Sequence, residues 1–87
     1  MDITKGTPIR VTWLDADCEA GWLEHTEEEE IDFLESYGVF YSLGPKFLIL
    51  SFCHNNSADD FLGKHRIPRG MVQHVDVLTA NGERYTV

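Results

Sequence analysis

Positive charge is what this sequence has least of. Seven lysines and arginines stand against fifteen aspartates and glutamates, a formal net charge of −8 over 87 residues. Binding to duplex nucleic acid is therefore not expected, because neutralising phosphates takes a basic footprint. Cysteine is scarce too. Cys18 and Cys53 are too few for a disulfide framework and lack CxxC spacing, so a reduced, cytoplasmic chain with free thiols is the expectation. No run approaches the roughly 18 apolar residues of a transmembrane helix, so no membrane partner is expected. The opening "MDITKGTPIR" has no apolar stretch of the kind a signal peptide carries. P-loop, GxGxxG and GxSxG motifs are missing as well, and no nucleophile–base pair stands out. The chain reads as a non-enzymatic protein without a cofactor.

What is present is an ordinary globular composition, 43% hydrophobic and 25% charged. A chain this short is one domain, residues 1–87, and buries only roughly 60–65% of its unfolded surface. Self-association would add to that burial, which favours a homo-oligomer. The charge is unevenly spread. Ten of the fifteen acids lie between Asp15 and Glu35, whereas Lys64, Arg66 and Arg69 fall within six positions beside His65.

Periodicity points to a mainly β fold. In "PIRVTWLD", Ile9, Val11 and Trp13 alternate with Arg10, Thr12 and Leu14, as in a half-buried strand. An acidic loop reaching Trp22 should follow. "HTEEEEIDFLE" then predicts a short helix, with Thr26 as cap, Glu29 completing a capping box and acids at the positive end of the dipole. "ESYGVFYSLGPKFLILSFCH" predicts a hairpin turning at Gly44–Pro45, and "FLILSFC" is apolar enough to be a central strand covered on both faces. "NNSADDFLG" reads as a polar loop. "KHRIPRGMVQHVDVLT" predicts a strand to Ile67, a tight turn through Arg69–Gly70–Met71 and a new strand from Val72, a pattern common in small SH3-like barrels. Asn81–Gly82 signals a type I′ hairpin before "RYTV". Five or six strands and one short helix are expected, as an SH3-like barrel or a strongly bent antiparallel sheet.

Four histidines and two cysteines invite a metal reading, yet no CxxC or HxxxH spacing supports one, and no metal is expected. Cys53 reads as a buried small hydrophobe. The basic cluster "GKHRIPRG" is the better lead: arginine offers forked donors and lysine a point charge for phosphate or carboxylate. Its plainer reading is pairing with the acidic loop, or solubility. Trp13 reads as core, while Trp22 suits core or ligand stacking equally. An indole face beside a pair of arginines is what a nucleobase with its phosphate needs.

Taken in order, "VTWLDADCEAGWL", "ESYGVFY", "FLILSF" and "RIPRGMVQHVDVL" resemble a widespread family of short phage and prophage proteins. Their pattern is V-x-W-x-D-[SA] with a nearby G-W, a mid-chain S-x-G, and I-P-x-x-x-[IV] before a strand. The likeness runs from Val11 to Leu78, and its specificity rests on motif order. Here "SYG" replaces the expected serine-valine-glycine, and "DAD" replaces an Asp-Ser start. Some phage proteins of this size and layout are immune-evasion sponges that sequester cyclic nucleotide signals without cleaving them.

The resemblance implies an oligomeric, phage-encoded sponge of anti-CBASS type in the host cytoplasm, binding a cyclic dinucleotide-type signal. In that role Trp22 or Trp13 would stack on a base. Lys64, Arg66 and Arg69 would meet phosphate, and Asp15 or Tyr37 would read a base edge. The alternative is an acidic interaction module that inhibits a host enzyme, presenting its Asp15–Glu35 surface as a nucleic-acid mimic.

Overall fold

The alternation at the start of the chain produces the first strand. In the computed structural model, which describes residues 1–14 and 33–87, β1 is Pro8–Trp13. It is followed by β2 (Leu34–Leu43), β3 (Phe47–Asn55), β4 (Asp60–Pro68), a 3₁₀ turn (Arg69–Met71), β5 (Val72–Val77) and β6 (Arg84–Tyr85). All pairings are antiparallel, in one sheet ordered β4-β3-β2-β1-β5-β6. Among the described residues β4 and β6 are the edges of the sheet and do not pair with each other, so the sheet is open rather than a closed barrel.

The core shows that the sheet is bent. Ile9 and Val11 of β1, Phe40 of β2, Leu48 and Leu50 of β3, Ile67 of β4, and Val72, Val75 and Val77 of β5 form one buried cluster. Side chains from five strands of one sheet can meet only if the sheet curls around them. Two register shifts, at Thr12/Trp13 in β1 and Phe40/Ser42 in β2, are the bulges that bend strands in this way. Each fully buried Leu or Ile contributes roughly 1.5–3 kcal/mol relative to exposure.

The β2–β3 hairpin and the Ile-Pro turn form as the sequence predicts. The strand ending in Ile67–Pro68 passes through one 3₁₀ turn, and β5 starts at Val72. Pro68 at the end of an edge strand removes no ladder donor, and Arg69 N–H bonds Lys46 O at 2.8 Å.

Other expectations are corrected. The predicted helix over 25–35 falls on residues outside the described ones as far as 32, and its end is strand, because Leu34 and Glu35 pair with Trp13 and Thr12. Strand β3 is internal but one place from the edge, and its second half is open: Phe52 is 59% exposed, and Cys53 is exposed, not a buried hydrophobe. Among the described residues only β4 lies beyond it there, and none covers that end. "NNSADDFLG" is mostly strand, with a turn over 56–59 in which Asn55 Oδ1 accepts from Ser57 and Ala58 N–H at 3.1 and 3.4 Å. The β5–β6 pair forms, but across residues 78–83. Type I′ requires positive φ at both central residues, and Gly82 has it (62°) while Asn81 does not.

Candidate functional site

A cluster of rings and cations gathers where the segment before β1 meets β2 and β4. The bulge in β2 builds it. Phe40 pairs with Leu50 and Ser42 with Ile49, which leaves Tyr41 as the extra residue, re-aimed out of the regular alternation. Lys5 is brought alongside by the backbone: Gly6 N–H donates to Phe40 O at 2.7 Å, and Phe40 N–H to Thr7 O at 2.8 Å. The Lys5 ammonium lies 4.4 Å from the Tyr41 ring centroid. From β4, the Lys64 ammonium lies 4.6 Å from the same centroid, and Phe61 meets Tyr41 edge-on at 5.3 Å. His54 of β3 stacks on Phe61, 4.0 Å away and 7° from parallel, with its Nε2 3.3 Å from Asp59 Oδ1.

Cation–ring contacts of this kind are worth roughly 0.5–1 kcal/mol at exposed sites. More telling is what the lysines lack. Among the described residues neither Lys5 nor Lys64 is ion-paired with a carboxylate. Two ammonium groups therefore converge on one ring, neither within ion-pair distance of a carboxylate among the described residues. In a chain of net charge −8, that is a local grouping of cations. Such a site can offer donors to a phosphate and ring surface to a base.

A second constellation crosses the sheet on the face opposite the core. Tyr37 of β2 pairs with Arg10 of β1, Arg10 with Asp76 of β5, and Asp76 with Arg84 of β6. Arg10 donates from Nε and Nη2 to Asp76 Oδ2 at 3.3 and 2.8 Å. Arg84 donates from Nε to Oδ1 at 2.6 Å and from Nη2 to Oδ2 at 3.2 Å. His74 Nε2 lies 3.7 Å from Oδ2. The Arg84 hydrogen bonds, helped by Arg10 and opposed by burial, lower the Asp76 carboxyl from 3.8 to about 2. Bonding to Asp76 in turn raises both guanidiniums above their ordinary value, and for Arg10 the Tyr37 hydroxyl adds to the effect. Tyr37 also donates to Glu35 Oε1 at 3.1 Å.

The residues singled out from the sequence are dispersed. Lys64 joins the Tyr41 cluster, and Tyr37, 53% exposed, joins the arginine row. Arg66 lies with its guanidinium carbon 5.9 Å from the Phe47 ring centroid, and Arg69 donates to Gly44 O at 3.2 Å. Trp13 packs against the core, its indole N–H donating to Ser36 Oγ at 3.0 Å and its ring edge-on to His65 at 5.9 Å. Asp15 and Trp22 lie outside the described residues. Among the described residues no three His, Cys, Asp or Glu side chains are grouped to hold a metal ion.

Lys5, Tyr41, His54 and Phe61 were not singled out from the sequence, nor were Arg10, Asp76 and Arg84. The only hint of the latter was "HVDV", an acid set between valines on a strand. No protein family, curated protein or solved structure matches the chain.

Proposed function

We propose that the chain is a phage-encoded, non-enzymatic binding protein that sequesters a cyclic oligonucleotide immune signal as an oligomer. The observation that carries this reading is the pair of ammonium groups, Lys5 and Lys64, 4.4 and 4.6 Å from the centroid of the Tyr41 ring. Phosphodiesters need point charges and bases need ring faces; the cluster of Lys5, Lys64 and Tyr41 with Phe61 and His54 offers both. The resemblance of its motif order to that of short phage proteins supports the biological setting. The 87-residue length supports oligomerisation, since a subunit of this size gains burial by associating. A ligand with twofold symmetry would sit naturally across a symmetric interface.

Native mass spectrometry with a panel of cyclic di- and trinucleotides tests the reading. The expected result is an oligomer carrying a discrete ligand, released with unchanged mass and lost in the Lys5→Gln/Lys64→Gln variant. A protein that binds none of the panel would overturn it.

A second reading has its own support in the concentration of ten acids between Asp15 and Glu35. On that reading the chain inhibits a host enzyme by presenting an acidic, nucleic-acid-like surface. Retention of one host protein, weakened by salt and by neutralising Glu27 to Glu30, would favour it.

A further inference from the structure

A single arginine on a single carboxylate is complete in itself, one charge answering the other. The row across β1, β5 and β6 is not. Asp76 brings one negative charge to two guanidiniums, and both bind it side-on through Nε and Nη2. A guanidinium has five N–H donors, and a side-on grip on a carboxylate engages only that edge. The Nη1 group of Arg84 meets no acceptor among the described residues. Both arginines are accessible, with side chains 33% (Arg10) and 58% (Arg84) exposed, whereas that of Asp76 is only 11% exposed. The carboxylate thus sits beneath the arginines as a fixed anchor, and the positive side of the assembly faces solvent.

Among the described residues, no carboxylate other than Asp76 forms a salt bridge with Arg10 or Arg84. Glu35 accepts from the Tyr37 hydroxyl and Glu83 from the Tyr85 hydroxyl, at 3.1 and 2.8 Å, so these two carboxylates have tyrosine partners. His74 Nε2 lies 3.7 Å from Asp76 Oδ2, beside the two arginines.

We propose that Arg10 and Arg84, held side-on by Asp76, form an oxyanion site on the sheet face opposite the core, taking a phosphate or carboxylate group. Pinning by Asp76 fixes two flexible side chains before the anion arrives, so less rotamer freedom is lost on binding. Tyr37, exposed at the β2 end of the row, gives a ligand bearing that oxyanion a ring to lie against. This site does not rest on the reading of the Tyr41 cluster and shares no residue with it.

The test is NMR of the arginine Nε–H signals in the intact chain, titrated separately with inorganic phosphate, succinate and chloride at constant ionic strength. Saturable shifts of the Arg10 and Arg84 signals are expected with phosphate or succinate and not with chloride. The more effective of the two names the group the site takes. Arg84→Gln should weaken binding, followed at Arg10, at least tenfold, with amide dispersion showing the sheet intact. Arg84→Lys, which keeps the charge and loses the fork, should weaken it several-fold. Equal responses to all three anions, or an Arg10 response unchanged in both variants, would overturn the proposal.

Discussion

Arg69 donates from Nη1 to the carbonyl oxygen of Gly44, 3.2 Å away and twenty-five positions back along the chain. With the backbone bond from Arg69 N–H to Lys46 O, this ties the 3₁₀ turn to the tip of the β2–β3 hairpin. An arginine that looks from the sequence like a phosphate ligand therefore holds the fold. Arg69→Ala should lower stability by about 1–2 kcal/mol, the cost of losing a charged donor from a part-buried carbonyl. Arg66→Ala, which among the described residues loses only a long contact with Phe47, should cost less than about 0.5 kcal/mol. Chemical denaturation of the two single variants separates them, and equal losses would show that the Gly44 bond is not a clamp.

The Asp76 carboxyl sets an acid limit. Its folded value is about 2 against an ordinary 3.8, so the folded state favours the charged form. For a lowered carboxyl the stabilisation is fully present above the unfolded value and is lost as pH falls from about 3.8 through about 2. The shift corresponds to about 2 kcal/mol. Asp76→Asn should therefore be destabilised by at least that much at neutral pH, with the difference from the native chain narrowing steadily below pH 3.8. Thermal melts of both proteins at several pH values measure it. A gap that stays constant down to pH 2 would mean that the carboxylate charge is not what Arg10 and Arg84 stabilise.

Gly38 owes its place to backbone crowding. A Cβ there would lie 2.5 Å from Ser51 O and 2.8 Å from Leu50 Cδ1. The first contact is with the backbone of the neighbouring strand and cannot be relieved by a rotamer change. Gly38→Ala should force β2 and β3 apart and cost about 1–3 kcal/mol, although alanine has the better intrinsic propensity. A melting temperature unchanged by the substitution would show that the strands can yield. The glycine of the "SYG" triplet thus has a packing reason of its own.

How much was legible follows from which interactions are local. Alternation in "PIRVTW", the Gly-Pro turn and the Ile-Pro break are encoded within a few residues of where they act, and β1, the β2–β3 hairpin and the 3₁₀ turn form as expected. The sites are not local. Arg10 and Asp76 stand sixty-six positions apart and meet only because β1 pairs with β5 in a particular register. A one-residue slip would turn one of them to the core face. Lys64 and Arg66 do point to one side, being two apart on β4, but they take different aromatic partners, because a bulge moves Tyr41 to Lys64 while Phe47 sits near Arg66. Neither the bulge nor the register is written in any short window of sequence. Burial of Cys53 was misjudged for a related reason: the apolar run "FLILSFC" outlasts the cover that the bent sheet provides, which ends at Ser51.

That exposed thiol gives the last prediction. Cys53 pairs with Leu62, 67% exposed, across the β3–β4 ladder, and Phe52 beside it lies over Gly63. Gly63 has φ of 68°, and a Cβ there would sit 2.7 Å from Phe52 Cδ2, so this corner is held open by a glycine conformation and covered by nothing described. A thiol in such a position reacts at its intrinsic rate without waiting for unfolding. In a Cys18→Ser variant, the single remaining thiol should react fully with a disulfide reagent under native conditions, within about tenfold of its rate in denaturant. If the protein oligomerises through this end of the sheet, the rate should fall as protein concentration rises, which makes Cys53 a reporter of assembly. A thiol that stays inert at the lowest workable concentration would mean that the β3–β4 end is covered in solution.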